Sequence, residues 1–138
     1  MKEIIALIRP ERMNATKQAL AAVGITSLTA RRVSGRGKGL VDPVLLAGAV
    51  RGAEEAIVQL GPRPRFWPKR LLSIVVNDHN VRRTISTIIQ VNNQGRPGDG
   101  KIFVAPISDA VRISSGQTGT AAVLEAGETI PSPEEAFA

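Results

Sequence analysis

Seven consecutive residues, Gly95-Arg96-Pro97-Gly98-Asp99-Gly100-Lys101, carry the densest chemical signal in the chain. Three glycines let backbone N–H groups converge on an anion, and the lysine adds a point charge. The order reads literally as G-x-x-x-x-G-K, most of a P-loop. Ile102 stands where that motif needs a hydroxyl for Mg²⁺, and the segment lies between a helix pattern and a strand pattern, the reverse of a P-loop. The P-loop reading fails on both counts. A phosphate cradle of another kind stays open, beside the plainer reading of a helix-to-strand turn. Glycine and cation alternate again in Gly35-Arg36-Gly37-Lys38-Gly39. Alone this segment reads as a hinge. Two such turns at strand ends can bracket one polyphosphate, within a chain or across a subunit boundary.

A third constellation is Arg63-Pro64-Arg65-Phe66-Trp67-Pro68-Lys69-Arg70, which holds two of the four aromatics in the chain. Arginine and tryptophan are favoured anchors of protein interfaces. Cations with aromatics also suit single-stranded nucleic acid, and a tryptophan that merely pins a loop to the body is equally in keeping with the pattern. His79 is the lone histidine and reads as a surface residue beside a helix start. Asp99 reads as an organiser of its turn, and Glu54 and Glu55 as a solvated helix face. With no cysteine and no tyrosine, thiol chemistry, disulfides and tyrosine modification are excluded. A His-based zinc site or Ser–His–Asp triad is improbable with one histidine, and no motif supports bond-breaking catalysis.

The elements that must position these residues follow from hydrophobic patterning. Five apolar residues, Ile4 to Ile8, suit a buried strand, and Pro10 ends it. Residues 11–23 read as an amphipathic helix through Met13, Leu20 and Val23, stopped by Gly24. A strand follows at about 28–33. The second half repeats the order. Leu71 to Val76 is a buried strand, and Asp78 or Asn80 is a helix cap. Val81, Ile85, Ile88 and Ile89 share one helical face, and a strand starts at Lys101. Strand–helix–strand twice over predicts an α+β, ferredoxin-like double βαβ with an antiparallel sheet and both helices on one face. The strands are apolar on both sides, so the other face needs cover, with self-association the simplest source. Ala110 to Ile113 reads as one more short edge strand.

At 138 residues the chain is one domain's worth of sequence. We expect a single domain over 1–113, an inserted loop over 34–70 with a short helix near 43–60, and a C-terminal segment over 114–138 ending in a mobile PSPEEAFA. No targeting or membrane-spanning pattern is visible, so a cytoplasmic protein is expected. The formal charge is +6, and residues 31–70 hold nine Lys/Arg against three acids. That segment carries the entire excess. The basicity therefore belongs to one loop and its root, which disfavours a nucleic-acid coat.

The segments MKEIIALIRP, GIT at 24–26, SGRGKG, and above all GRPGDGKIFVAPISDAVRI at 95–113 resemble the PII signal-transduction family over about 1–39 and 69–119. TARRVSGRGKG, LLAGAVRGAEEAIVQLG, PKRLLSIVVND and a loop longer than usual are similar to the nitrogenase-regulating subgroup encoded beside nitrogenase. The resemblance implies a non-enzymatic homotrimer with ATP or ADP in clefts between subunits, 2-oxoglutarate with Mg²⁺ as a further ligand, and an extended T-loop that docks on targets. It implies a nitrogenase component protein as partner, with a companion PII paralogue, and no nucleic acid or membrane insertion. The alternative is a PII-like regulator of an ammonium channel or a nitrogen-assimilation enzyme.

By the same resemblance, Gly35, Gly37 and Lys38 match one phosphate turn, and Gly98, Asp99, Gly100 and Lys101 the other. Thr29 matches a residue near the adenine, Lys69 the lysine that pairs with 2-oxoglutarate, and Arg112 an arginine reaching a neighbour's phosphates. Arg51, Arg65, Phe66 and Trp67 are the expected partner contacts. The chain departs from the pattern at Lys38, where the family has arginine, at Gly39, where it has a Mg²⁺-coordinating glutamine, and at Ser114, where it has a second arginine.

Overall fold

The computed structural model describes residues 1–36, 66–125 and 127–129. Its sheet has four strands: β1 (Lys2–Ile8), β2 (Thr29–Gly35), β3 (Trp67–Val76) and β4 (Lys101–Pro106). The order is β2-β3-β1-β4 and every neighbouring pair is antiparallel. Helix α1 (Met13–Ala22) joins β1 to β2, and α2 (Val81–Asn92) joins β3 to β4. This is the ferredoxin-like arrangement expected from the repeated pattern.

Alternation along the central strands fixes the core. Ile4, Ala6 and Ile8 of β1 and Leu72, Ile74 and Val76 of β3 point to the helices and are fully or almost fully buried. Leu20 of α1 and Ile88 of α2 close on them, with Ile25 beneath. The helix–helix seam is polar, and its side chains are hydrogen-bonded except at Asn92 Oδ1. Thr16 and Thr84 are buried, and each hydroxyl donates to the carbonyl four residues back, at 2.7 and 2.8 Å. Asn92 Nδ2 donates to Thr16 Oγ1 at 3.0 Å across the seam. Threonine serves here because it is small and bonds its own backbone. Gly24, at φ +87°, ends α1 as expected, and Ile25 N–H reaches back to the Leu20 carbonyl.

Several boundaries differ from the sequence reading. Of the expected α2 face, Ile88 is in the core and Val81 and Ile85 pack against it, joined by the buried Thr84 and Asn92, while Ile89 is half exposed. Residues 78–80 form a 3-10 turn, and neither Asp78 nor Asn80 caps α2 with its side chain. Val111 makes only an isolated bridge to Thr118 rather than an edge strand. Strand β3 begins at Trp67, four residues before the apolar run, and pairs with β2 out to Gly35 opposite Trp67. Pro68 is tolerated because β1 ends at Ile8 opposite Arg70. From 67 to 69 the strand has β2 on one side alone, and a missing N–H can face the open side.

The sheet face turned from the helices carries Ile5, Leu7, Leu71, Val75 and Phe103. These are partly exposed, Phe103 by 49 %. After β4 the chain doubles back at 111–118 and passes through a 3-10 turn at Gly119–Val123, after which Glu125 and Glu128 lie against the starts of β2 and α2. No helix among the described residues is long and apolar enough to cross a membrane.

Candidate functional site

The glycine-rich turn between α2 and β4 is fastened from three directions. Its own Asp99 accepts hydrogen bonds at Oδ2 from Gln94 N–H at 2.7 Å and Arg96 N–H at 3.3 Å. Arg9, at the end of β1, donates from Nη1 to Asp99 Oδ1 and from Nη2 to the Pro97 carbonyl at 2.9 Å. Lys69 of β3 donates from Nζ to the Gly98 carbonyl at 2.9 Å. Asn93 Oδ1 accepts from Gly95 N–H at 2.9 Å. Two cations therefore hold two successive carbonyls, and one carboxylate gathers two N–H groups.

The electrostatics follow from this pattern. The N–H of Gln94, then the guanidinium of Arg9 and the N–H of Arg96, hold the Asp99 carboxyl down at about 2, against the opposing effect of burial. Asp99 is therefore ionised at neutral pH and organises the turn, as its sequence context suggests. Gly100 is fixed by space as well as conformation. Its φ is +126°, and an added Cβ would lie 2.0 Å from the Leu7 carbonyl oxygen, a backbone atom that cannot yield. Close approach of the turn to β1 thus requires glycine.

Lys101 differs from Lys69. It is exposed, opens β4 beside Asp99 and Gly100, and has no hydrogen bond or ion pair among the described residues. The turn presents this free ammonium together with Gly98 and Gly100, which is the chemistry of an anion site. A cavity of about 350 Å³ beside the turn is lined by Arg9, Trp67, Lys69 and Gly98. Trp67 is 42 % exposed at its rim and Phe66 62 %.

The remaining expected residues divide into two groups. Gly35 closes the β2–β3 ladder near Lys69, as expected for the root of the inserted loop. Thr29 lies at the other end of β2, about 20 Å away along a seven-residue strand. It shares a second cavity, of about 460 Å³, with Ser73, Arg112 and Leu124. One chain therefore brings Lys69, Gly98, Asp99, Gly100 and Lys101 together at one end, and Thr29 and Arg112 at another. Gly37, Lys38, Arg51 and Arg65, as well as Gly39 and the helix expected near 43–60, lie outside the described residues, as does PSPEEAFA.

Sequence reasoning missed Arg9, whose partners lie 88 and 90 residues away in the chain. It also misread His79. The ring is partly buried, with Nε2 2.8 Å from Glu128 Oε1, so it is a paired residue and not a plain surface one. Among the described residues no group of three His, Asp or Glu side chains gathers as metal ligands.

Comparison with known proteins gives a consistent result. The model of the family described as "Nitrogen regulatory protein P-II" matches residues 1–117. A "Nitrogen fixation nifHD region GlnB-like protein 2" of Methanobacterium ivanovii is 44 % identical over 126 residues, 90 % of this chain and the whole of the relative. A protein of the same description from Methanothermobacter marburgensis is 41 % identical over 125 residues, 89 % of this chain and the whole of the relative. The "Nitrogen regulatory protein P-II" of Azospirillum brasilense is 37 % identical over 123 residues, again 89 % of this chain and the whole of the relative.

Proposed function

The chain belongs to the P-II family of nitrogen regulatory proteins, and from that premise we propose that it is a nucleotide-sensing regulator of nitrogenase. The relatives of this kind are named as regulatory proteins or for a nitrogen-fixation gene region, and none of those names describes an enzyme. The observation that carries the proposal is the fastened glycine turn with Lys101, unpartnered among the described residues, at its mouth.

ATP or ADP is the bound effector. Gly98, Gly100 and Lys101, with Gly35, Gly37 and Lys38, take the phosphates on one side. Thr29 and Arg112 complete the pocket from a neighbouring subunit, which accounts for their distance from Lys101 within one chain. A homotrimer supplies that neighbour and covers Phe103 and the other partly exposed residues of the outward sheet face. The fit to a protein-held Mg²⁺ is poor. Asp99, the carboxylate at the turn, already accepts three hydrogen bonds, and Gly39 has no side-chain oxygen. We therefore give the 2-oxoglutarate response to the companion paralogue acting with this chain.

The nucleotide state biases the inserted loop between Gly35 and Trp67. That loop, with Trp67 at the start of β3, presents Arg51, Arg65, Phe66 and Trp67 to a nitrogenase component protein in the cytoplasm. Two measurements test the reading. Calorimetric titration with ATP and with ADP should show binding, and its absence at millimolar nucleotide overturns the effector assignment. A nitrogenase assay with this chain and the companion paralogue, with and without ATP and 2-oxoglutarate, should show inhibition that the effectors relieve. Unchanged nitrogenase activity at saturating protein, with nucleotide binding intact, points instead to an ammonium channel or a nitrogen-assimilation enzyme as target.

A further inference from the structure

The C-terminal segment is held by two carboxylates that the proposed function does not use. Glu125 accepts three hydrogen bonds from the chain that leads into β2: Thr26 Oγ1 at 2.7 Å, Ser27 Oγ at 3.2 Å and Ser27 N–H at 3.2 Å. Glu128 accepts three more, from His79 Nε2 at 2.8 Å, Asn80 Nδ2 at 2.6 Å and Glu125 N–H at 2.8 Å. The residues carrying the two carboxylates are three apart in the chain, and one binds the backbone of the other. They fasten one short segment to the starts of β2 and α2 at once.

What this segment does is set by what precedes it. Ala122, Val123 and Leu124 form one wall of the cavity that contains Thr29 and Ser73. The Ala122 carbonyl accepts a hydrogen bond from Arg112 Nη2 at 3.3 Å. The backbone of Arg112 is itself held in the tight return by Arg112 N–H to the Gln117 carbonyl at 2.8 Å and by Gly116 N–H to the Arg112 carbonyl at 2.7 Å. The fastened segment leaves the cavity open at about 460 Å³. It therefore builds the site rather than filling it.

We propose that residues 119–125, with Gly127 and Glu128, are a strap that forms part of the ligand site, with Glu125 and Glu128 as positioning residues that act on the ligand through Arg112 and the Ala122–Leu124 wall. This rests on the reading that the Thr29–Arg112 cavity takes a nucleotide. Detachment of the strap removes one wall and the acceptor that aims the Arg112 guanidinium. By linkage, a ligand held by Arg112 favours the attached strap. Charged hydrogen bonds are the right kind of latch for such a segment. They are strong enough to order it, and local enough to open without unfolding the sheet.

The test is hydrogen exchange on the full chain, paired with nucleotide affinity. We use Glu125→Gln and Glu128→Gln, which keep the shape, and the double alanine variant, which removes both latches. In the double variant the amides of the strap should lose protection by about tenfold or more, while those of β1 and β3 keep theirs. Affinity for ATP and ADP should fall several-fold. Saturating nucleotide should raise strap protection in the wild-type protein and not in the double variant. If the double variant does not fold, the two glutamine variants give the same comparison. Unchanged strap protection in the variants overturns the latch. A freed strap with unchanged affinity overturns its part in the site. A wild-type protein that binds neither nucleotide overturns the nucleotide reading and the coupling with it, and the exchange data still decide the latch.

Discussion

Arg9 and Asp99 stand 90 residues apart in the chain and are joined by a charged hydrogen bond at the base of the glycine turn. The same guanidinium also holds the Pro97 carbonyl, so one side chain from the end of β1 contributes to both the charge and the path of the turn. Bidentate use of this kind needs the planar fork of arginine. Lysine at this position would keep the charge and lose one of the two contacts.

The depressed carboxyl of Asp99 gives the turn a pH signature. Its folded value of about 2 lies below the ordinary 3.8, so the unfolded chain binds the proton first as pH falls. The stabilising effect is fully present above the unfolded value and is lost as pH falls through the folded one. Thermal unfolding of the wild type and Asp99→Asn should therefore show a constant gap at pH 5–7. The gap should narrow below about pH 4 and close near pH 2. A gap independent of pH would mean that the carboxylate charge contributes nothing.

Gly100→Ala tests the close approach of the turn to β1. The new Cβ would meet the Leu7 carbonyl oxygen at 2.0 Å and would also demand a positive φ. We expect a loss of at least about 2 kcal/mol, the upper part of the usual range for single substitutions. Gly24→Ala is the control. Its φ is +87° but nothing lies within 4 Å of the added atom, so it should cost only about 1 kcal/mol. Urea denaturation of both variants measures the difference, and equal losses would remove the steric argument.

The helix seam makes a separate prediction. Thr16→Val keeps the shape and removes the hydroxyl that accepts from Asn92 Nδ2. Asn92 is 6 % exposed, and its Oδ1 already has no partner. Asn92 Nδ2 keeps its bond to the Ile88 carbonyl at 2.9 Å, but its other N–H is left without an acceptor in the core, which should cost about 1–3 kcal/mol. Thr16→Ser keeps the acceptor and loses one methyl, about 1 kcal/mol. A larger loss for serine than for valine in urea denaturation would overturn this account of the seam.

The parts of the molecule legible in the sequence are those governed by local period. The apolar runs at Ile4–Ile8 and Leu71–Val76 located the two central strands, and Gly24 located the end of α1, because burial and backbone conformation act over a few residues. The GRPGDGK segment was legible as an organised turn for the same reason. What was not legible depends on distant partners. Nothing near Arg9 announces Asp99, and nothing near His79 announces Glu128. The start of β3 was missed because Pro68 reads as a strand breaker, and only the absence of β1 beside it makes it acceptable. Ile89 shares the spacing of the core-facing residues, but it lies over the edge strand β4, where it lines an open groove with Ile102 and Val104.

The two lysines near the turn should separate binding from stability. Lys69 Nζ is engaged with the Gly98 carbonyl, so Lys69→Gln removes a structural tie and should lower the melting temperature. Lys101 is exposed and has no partner among the described residues, so Lys101→Gln should leave the melting temperature within error. If Lys101 meets phosphate, its loss removes a charged hydrogen bond of about 1.5–3 kcal/mol, which is roughly tenfold to a hundredfold in affinity. Calorimetric titration of the variant with ATP and ADP reads that factor. The wild-type affinity should also weaken with added salt more steeply than that of Lys101→Gln, because one fewer exposed charge is screened. Equal affinity and equal salt dependence in the two proteins would take Lys101 out of the nucleotide site. The turn held by Arg9, Lys69 and Asp99 would then be a structural corner rather than a phosphate cradle.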